Sequence, residues 1–214
     1  MKKPPPLLFW DVDTQVDFML PQGALYVPEA EGLLPSLARL SEAARRHGIP
    51  VVASADHHSL GDAEISEDPN WQTTFPPHCM AGTPGAEKVP ETRLEAPVRL
   101  DWEPKDRSEL ISALEVERPE ILLLKNTLDV FSNPNTETVL EILAPRRVVV
   151  YGVALDFCHR RAVEGLWSRG FNDLEIVVDA TRAIDGRRGE RLLESWQELG
   201  MKRVSTEQVL ERLS

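Results

Sequence analysis

The sequence predicts an α/β fold: a three-layer αβα sandwich around a six-stranded, mainly parallel, doubly wound sheet. Three observations carry this. Short apolar, β-rich runs alternate along the chain with segments of helical period, which is the pattern of a parallel sheet covered on both faces. A length of 214 residues suits one α/β unit with a sizeable core. The composition, 42% hydrophobic and 28% charged, is that of a folded globular chain rather than a disordered one. We expect one domain over residues 1–214, with no linker and no internal repeat.

The elements follow in order. Leu7 to Trp10 reads as the first strand and runs into Asp11 and Asp13. Leu34, Leu37, Leu40 and Ala44 recur at helical spacing within Leu33 to Arg46, and His47-Gly48 ends that helix. Ile49 to Ala53 is the second strand, leading to Asp56-His57-His58. Residues 59–104 are rich in Pro, Gly, Glu and Trp and have little period; so long a stretch is usually functional, and we expect it to cover a site. A helix over Asp106 to Glu117, a strand over Ile121 to Leu124 ending at Lys125, and a helix over Thr136 to Leu143 come next. Val148 to Tyr151 is a buried-type strand ending at Gly152, followed by a helix from Asp156 to Ser168 with Gly170 as its cap. Leu174 to Val178 and Lys202 to Ser205 are strands, and Gly189 to Leu199 and Thr206 to Leu213 are helices.

In open parallel sheets, ligands bind beyond the C-terminal ends of the strands. Asp13, Asp56, Lys125 and Cys158 all fall just after predicted strands, so four residues far apart in sequence can meet in one crevice.

Composition narrows the partners. A formal net charge of -11 argues against DNA or RNA. No apolar run approaches the roughly 20 residues of a membrane span. The start, Met1 to Pro6, is too polar and Pro-rich for a signal peptide, so we expect a cytoplasmic protein with no membrane partner. Two cysteines, Cys79 and Cys158, make neither a disulfide scaffold nor a zinc knuckle. No G-x-G-x-x-G follows the first strand, which argues against a dinucleotide enzyme.

Cys158 lies between a strand and a helix. There the helix dipole and free N–H groups favour a thiolate and can hold an oxyanion. Without partners, a free cysteine reads as a small buried hydrophobe. A hydrolytic cysteine needs a base and a proton donor, and Asp13 can serve as both. Lys125 can stabilise the thiolate and developing negative charge. Taken singly, Asp13 also reads as a turn residue and Lys125 as a solvated strand end. Asp56, His58 and His78 offer one oxygen and two nitrogens to a divalent metal. His57 and Cys79 are alternative ligands, and an exposed polar loop is the plain alternative. Phe18, Trp71 and Phe75 suit either ring stacking or core packing. Arg45-Arg46 and Arg187-Arg188 read as solvated helix faces.

The motifs also form an ordered set. Asp13-Thr14-Gln15-Val16-Asp17-Phe18 comes first, then Asp56-His57-His58. Phe75-Pro76-Pro77-His78-Cys79 follows, with Gly82-Thr83-Pro84-Gly85-Ala86 behind it. Lys125 and Asp129-Val130-Phe131-Ser132 precede Gly152-Val153-Ala154 and Asp156-Phe157-Cys158. Together they resemble the nicotinamidase branch of the isochorismatase-like cysteine hydrolase superfamily, over nearly the whole chain. The resemblance implies Asp13, Lys125 and Cys158 as catalytic residues, with Asp13 rather than Asp11 or Asp17 as the acid. It implies an oxyanion hole from the Ala154 and Cys158 N–H groups, and a metal on Asp56, His58 and His78. Zinc is the first expectation for that metal, with iron or manganese as alternatives. Phe18 and Phe75 would flank a substrate ring. The implied reaction converts nicotinamide to nicotinate and ammonia through a thioester, in a homo-oligomer. Another small amide, a carbamoyl or ureido compound, or a non-catalytic ligand-binding role are the alternatives. Leu155, Phe75 and His159-Arg160-Arg161 depart from the family's usual residues and bear on the substrate.

Overall fold

The computed structural model describes residues 7–213; the Pro-rich start, Met1 to Pro6, lies outside them. Seven strands form one sheet: β1 (Leu7–Val12), β2 (Val51–Asp56), β3 (Val98–Leu100), β4 (Glu120–Lys125), β5 (Arg147–Val153), β6 (Leu174–Arg182) and β7 (Lys202–Val204). Seven helices accompany them: α1 (Val16–Met19), α2 (Leu34–His47), α3 (Arg107–Leu114), α4 (Thr136–Leu143), α5 (Cys158–Ser168), α6 (Gly186–Glu198) and α7 (Thr206–Glu211).

The strand order is β3-β4-β2-β1-β5-β6-β7, and every pairing is parallel. The sheet has one strand more than expected. The extra strand, β3, is a three-residue edge strand inside the irregular stretch, too short to show an alternating pattern, and its pairing with β4 is what creates it.

Alternation along the central strands explains the three layers. Leu8, Trp10 and Val12 of β1, with Val148 and Val150 of β5, pack with α3, α4, α5 and α6 on one face. Phe9, Val149, Tyr151 and Val153 point the other way, onto α1, α2 and α7. Each such side chain, fully buried, contributes about 1.5–3 kcal/mol. Gly48, at φ 65°, ends α2 in the left-handed conformation that the sequence placed there.

From β1 the chain winds to β2 on one side, and β5 later pairs on the other. The switch in direction opens a crevice at the C-terminal ends of β1 and β5, where such sheets hold ligands. The two strands approach closely there. A Cβ at Gly152 (φ 111°) would lie 2.0 Å from the Val12 carbonyl oxygen, so only glycine fits.

Candidate active site

Four adjacent strands deliver the four residues. Asp13 leaves β1, Asp56 ends β2, Lys125 ends β4, and Cys158 begins α5 after β5. Lys125 is the hub. Its Nζ lies 2.9 Å from Asp13 Oδ2 and 3.4 Å from Cys158 Sγ, and it donates to Asp56 Oδ1. All four side chains are buried.

Asp13 sits at φ 49°, a left-handed conformation that costs a non-glycine residue about 1–3 kcal/mol. Its surroundings hold it there. Ser54 Oγ donates to Asp13 Oδ1 at 2.6 Å, and the Asp13 carbonyl accepts from Gln15 N at 2.7 Å. Oδ2 is left facing the lysine and the thiol. Burial pushes the Cys158 thiol well above its usual range, and Lys125 only partly opposes this. This direction runs against the lowering expected from the helix terminus, and a nucleophile at this position needs a base. Burial alone would discharge Lys125, but Asp13 and Asp56 hold it well above the usual lysine range.

The Ala154 and Cys158 N–H groups donate to no carbonyl among the described residues, whereas those of Leu155, Phe157 and His159 are all taken. The peptide bond between Val153 and Ala154 is cis.

Asp56 uses its second oxygen toward the histidines. Oδ2 lies 3.8 Å from His58 Nε2 and 3.6 Å from His78 Nε2. One donor atom from each of the three residues falls within 4.8 Å of the others, all of them buried. His78 Nδ1 donates to the Pro76 carbonyl at 2.8 Å, which leaves Nε2 with a free lone pair. Both nitrogens of His58 are buried without a hydrogen-bond partner. Orphaned imidazole nitrogens facing a carboxylate are costly unless something fills the gap, and the set fits a divalent cation. Burial would raise the Asp56 carboxyl, yet Lys125 and the histidines hold it below the usual range. His57, the alternative ligand, instead stacks on Trp102 with ring centroids 6.0 Å apart, and Cys79 belongs to the core cluster on the α2 face.

The crevice above is walled by Phe18, Phe75, Phe157, Leu128 and Ile184, with Asp56, His78 and Cys158 exposed to it. Phe18 and Phe75 both approach His78, at ring-centroid distances of 5.4 and 6.1 Å. Trp71 does not join them; it is 59% exposed in a neighbouring depression. The departures from the family pattern divide by location. Leu155 and His159 face the core, His159 stacking on Trp196. Phe75 lines the crevice, and Arg160 and Arg161 line the neighbouring depression.

Several residues escaped the sequence reading. Ser54 is one, and Asp62, whose Oδ2 backs His58 Nδ1 at 3.5 Å, is another. Glu64 is a third. It is buried, accepts from Leu128 N at 2.6 Å, and leaves Oε2 without a partner. Burial raises its carboxyl above the usual range. Asp17 is engaged elsewhere. It takes the Cys79 N–H at 2.7 Å and the Ala24 N–H at 3.0 Å, and its carboxylate fills the space a Cβ at Gly85 would need.

Comparisons with known proteins place the chain in a family. The isochorismatase domain model matches residues 7–208. A pyrazinamidase of Pyrococcus horikoshii, solved in complex with zinc, is 26% identical with a TM-score of 0.74, covering 94% of this chain and 99% of that one. The nicotinamidase/pyrazinamidase of Mycobacterium tuberculosis is 39% identical over 80 residues, which span 37% of this chain and only 41% of that protein. A probable inactive nicotinamidase of Arabidopsis thaliana is 22% identical over 174 residues, 80% of this chain and 78% of that one. With the family model covering the chain from β1 to α7, the protein belongs to the isochorismatase domain family of hydrolases.

Proposed function

We propose that the protein is a metal-dependent amidohydrolase that converts nicotinamide to nicotinate and ammonia, with Cys158 as nucleophile. The supporting observation is a single lysine, 2.9 Å from a carboxylate and 3.4 Å from a thiol, beside the Asp56/His58/His78 donor set.

Asp13 takes the thiol proton as Cys158 Sγ attacks the amide carbon. The free N–H groups of Ala154 and Cys158 receive the charge that develops on the carbonyl oxygen. Lys125 balances the charges of Asp13 and the sulfur while the proton is in transit. Asp13 then returns the proton to the departing ammonia, leaving a thioester on Cys158. A water molecule deprotonated by Asp13 hydrolyses the thioester and regenerates the thiol. Phe18 and Phe75 flank the ring and exclude water. Asp56, His58 and His78 would hold a divalent cation, zinc before iron or manganese, which would supply a Lewis acid able to anchor a pyridine nitrogen.

The test is ammonia release from nicotinamide by metal-loaded protein, beside a Cys158→Ala variant. The expected loss in the variant is on the order of 10⁴-fold or more. Retention of most of the hydrolysis by the variant would sink the mechanism. A reactive wild-type thiol with no release from nicotinamide would move the substrate to another small amide. An unreactive Cys158 would return the chain to a non-catalytic ligand-binding role.

A further inference from the structure

A second depression adjoins the mouth of the crevice and has no part in the reaction above. It shares Leu128 and Phe157 with the crevice and is also lined by Trp71, Arg160, Arg161 and Arg188. A chain of net charge -11 thus sets three arginines beside the approach to its nucleophile. One aspartate faces them. Asp156 spends both carboxylate oxygens on backbone N–H groups, those of Ile184 at 3.0 Å and Asp185 at 3.1 Å. Asp185 is itself the cap of α6 and accepts from the Arg187 and Arg188 N–H groups.

The three arginines are not equivalent. Arg160 is held by Glu164 at 2.8 Å, one turn along α5. Arg161 and Arg188 form no ion pair with a carboxylate among the described residues. Arg188 has its guanidinium carbon 5.1 Å from the centroid of Phe157, so it rests on a ring that also walls the crevice. Arg160 and Arg161 lie in the first turn of α5, and Arg188 in the first turn of α6. A cation at a helix N-terminus works against the helix dipole, so helix stability does not account for this placement. The dipoles and the guanidinium groups instead add to one positive potential. A guanidinium fork is the side chain best matched to a carboxylate or phosphate.

We propose that the preferred substrates are amides that carry an anionic group, carboxylate or phosphate, remote from the scissile bond. Arg161 and Arg188 bind the anion while the crevice presents the amide to Cys158. This rests on the amidohydrolase reading and narrows it: nicotinamide offers no anion to the arginines, whereas an acid-bearing aromatic amide does.

Two measurements test it, each on wild type and on the Arg161→Gln/Arg188→Gln double variant. The first is the ratio of kcat/KM for 5-carboxynicotinamide to that for nicotinamide. The second needs no turnover: the rate of Cys158 alkylation by anionic iodoacetate relative to neutral iodoacetamide, with the modified cysteine located by mass spectrometry. Both ratios are expected to fall about tenfold in the double variant, the effect of losing one good charged contact. Hydrolysis of both amides with neither ratio moved overturns the anion site and leaves the amidohydrolase reading standing. Alkylation that depends on the arginines, with neither amide hydrolysed by wild type, keeps the anion site, overturns the nicotinamide reading and moves the substrate to another small amide.

Discussion

The sheet's central strand leads into two buried aspartates, two residues apart, and each has its own buried lysine. Asp11 pairs with Lys88 at 2.9 Å and Asp13 with Lys125 at the same distance. The pairs are joined through Ser54, whose hydroxyl donates to Asp13 and whose carbonyl accepts from Lys88 Nζ at 3.3 Å. Yet only one is poised for chemistry. Asp11 is closed off: Thr14 donates to it at 2.8 Å, and Thr14 in turn meets Thr92 at 2.6 Å. Burial raises the Asp11 carboxyl even against Lys88. The Asp13 pair instead faces the Cys158 thiol, which itself lines the crevice. A buried ion pair by itself is therefore no mark of an active site. What distinguishes the second pair is contact with a thiol that lines the crevice.

Replacing each lysine by methionine is the sharpest way to break that comparison. Lys88→Met strands one buried carboxylate and Lys125→Met strands two, and each is expected to cost at least about 3–5 kcal/mol in urea unfolding. Lys125→Met is expected also to lower kcat, per folded molecule, by 10² to 10³-fold or so, as the loss of a preorganised charge does. Lys88→Met is expected to lower it by less than about tenfold. Equal losses of kcat would mean that both lysines serve one extended network.

Another buried titratable group has no charged partner among the described residues. His159 follows the nucleophile, lies fully buried against Trp196, and is pushed by burial from 6.5 down to about 3. The folded protein therefore keeps it neutral where the unfolded chain binds a proton. Its contribution to stability is present above pH 6.5 and is lost as the pH falls toward 3. We expect wild type to lose on the order of 4 kcal/mol more than His159→Phe across that window. Parallel acid limbs in the two proteins would refute the assignment.

The smallest expected effect lies at the other end of the open cluster. Asp62 orients His58, and Asp62→Asn is expected to weaken zinc binding about 10 to 100-fold, read by competition with a chelating dye. Unchanged affinity would separate Asp62 from the metal set.

Most of the fold was legible because its signals are local. The helix over Thr136–Leu143 came out residue for residue, since its apolar period and the following Pro145 lie within one short window. β6 runs four residues beyond the predicted end, to Arg182, because pairing with Gly152 and Val153 carries it on past a break in register. The site was legible for the residues that punctuate strand ends. Ser54 and Asp62 were not, because a serine within a strand and an aspartate in a loop carry no pattern of their own. Arg188 looked like part of a solvated helix face, and only the tertiary fold, which sets the start of α6 beside the start of α5, brings it to Phe157.

The sequence by itself determined the alternation of strands and helices, the placement of Asp13, Asp56, Lys125 and Cys158 at strand ends, and the candidate metal donors. Each depends on periodicity or on residue type at one position. Tertiary structure alone decided that Lys125 is the hub, that Asp56 divides its two oxygens between lysine and histidines, and that burial pushes the Cys158 thiol up. Distance and solvent exclusion govern all three, and neither is written in any stretch of chain short enough to read.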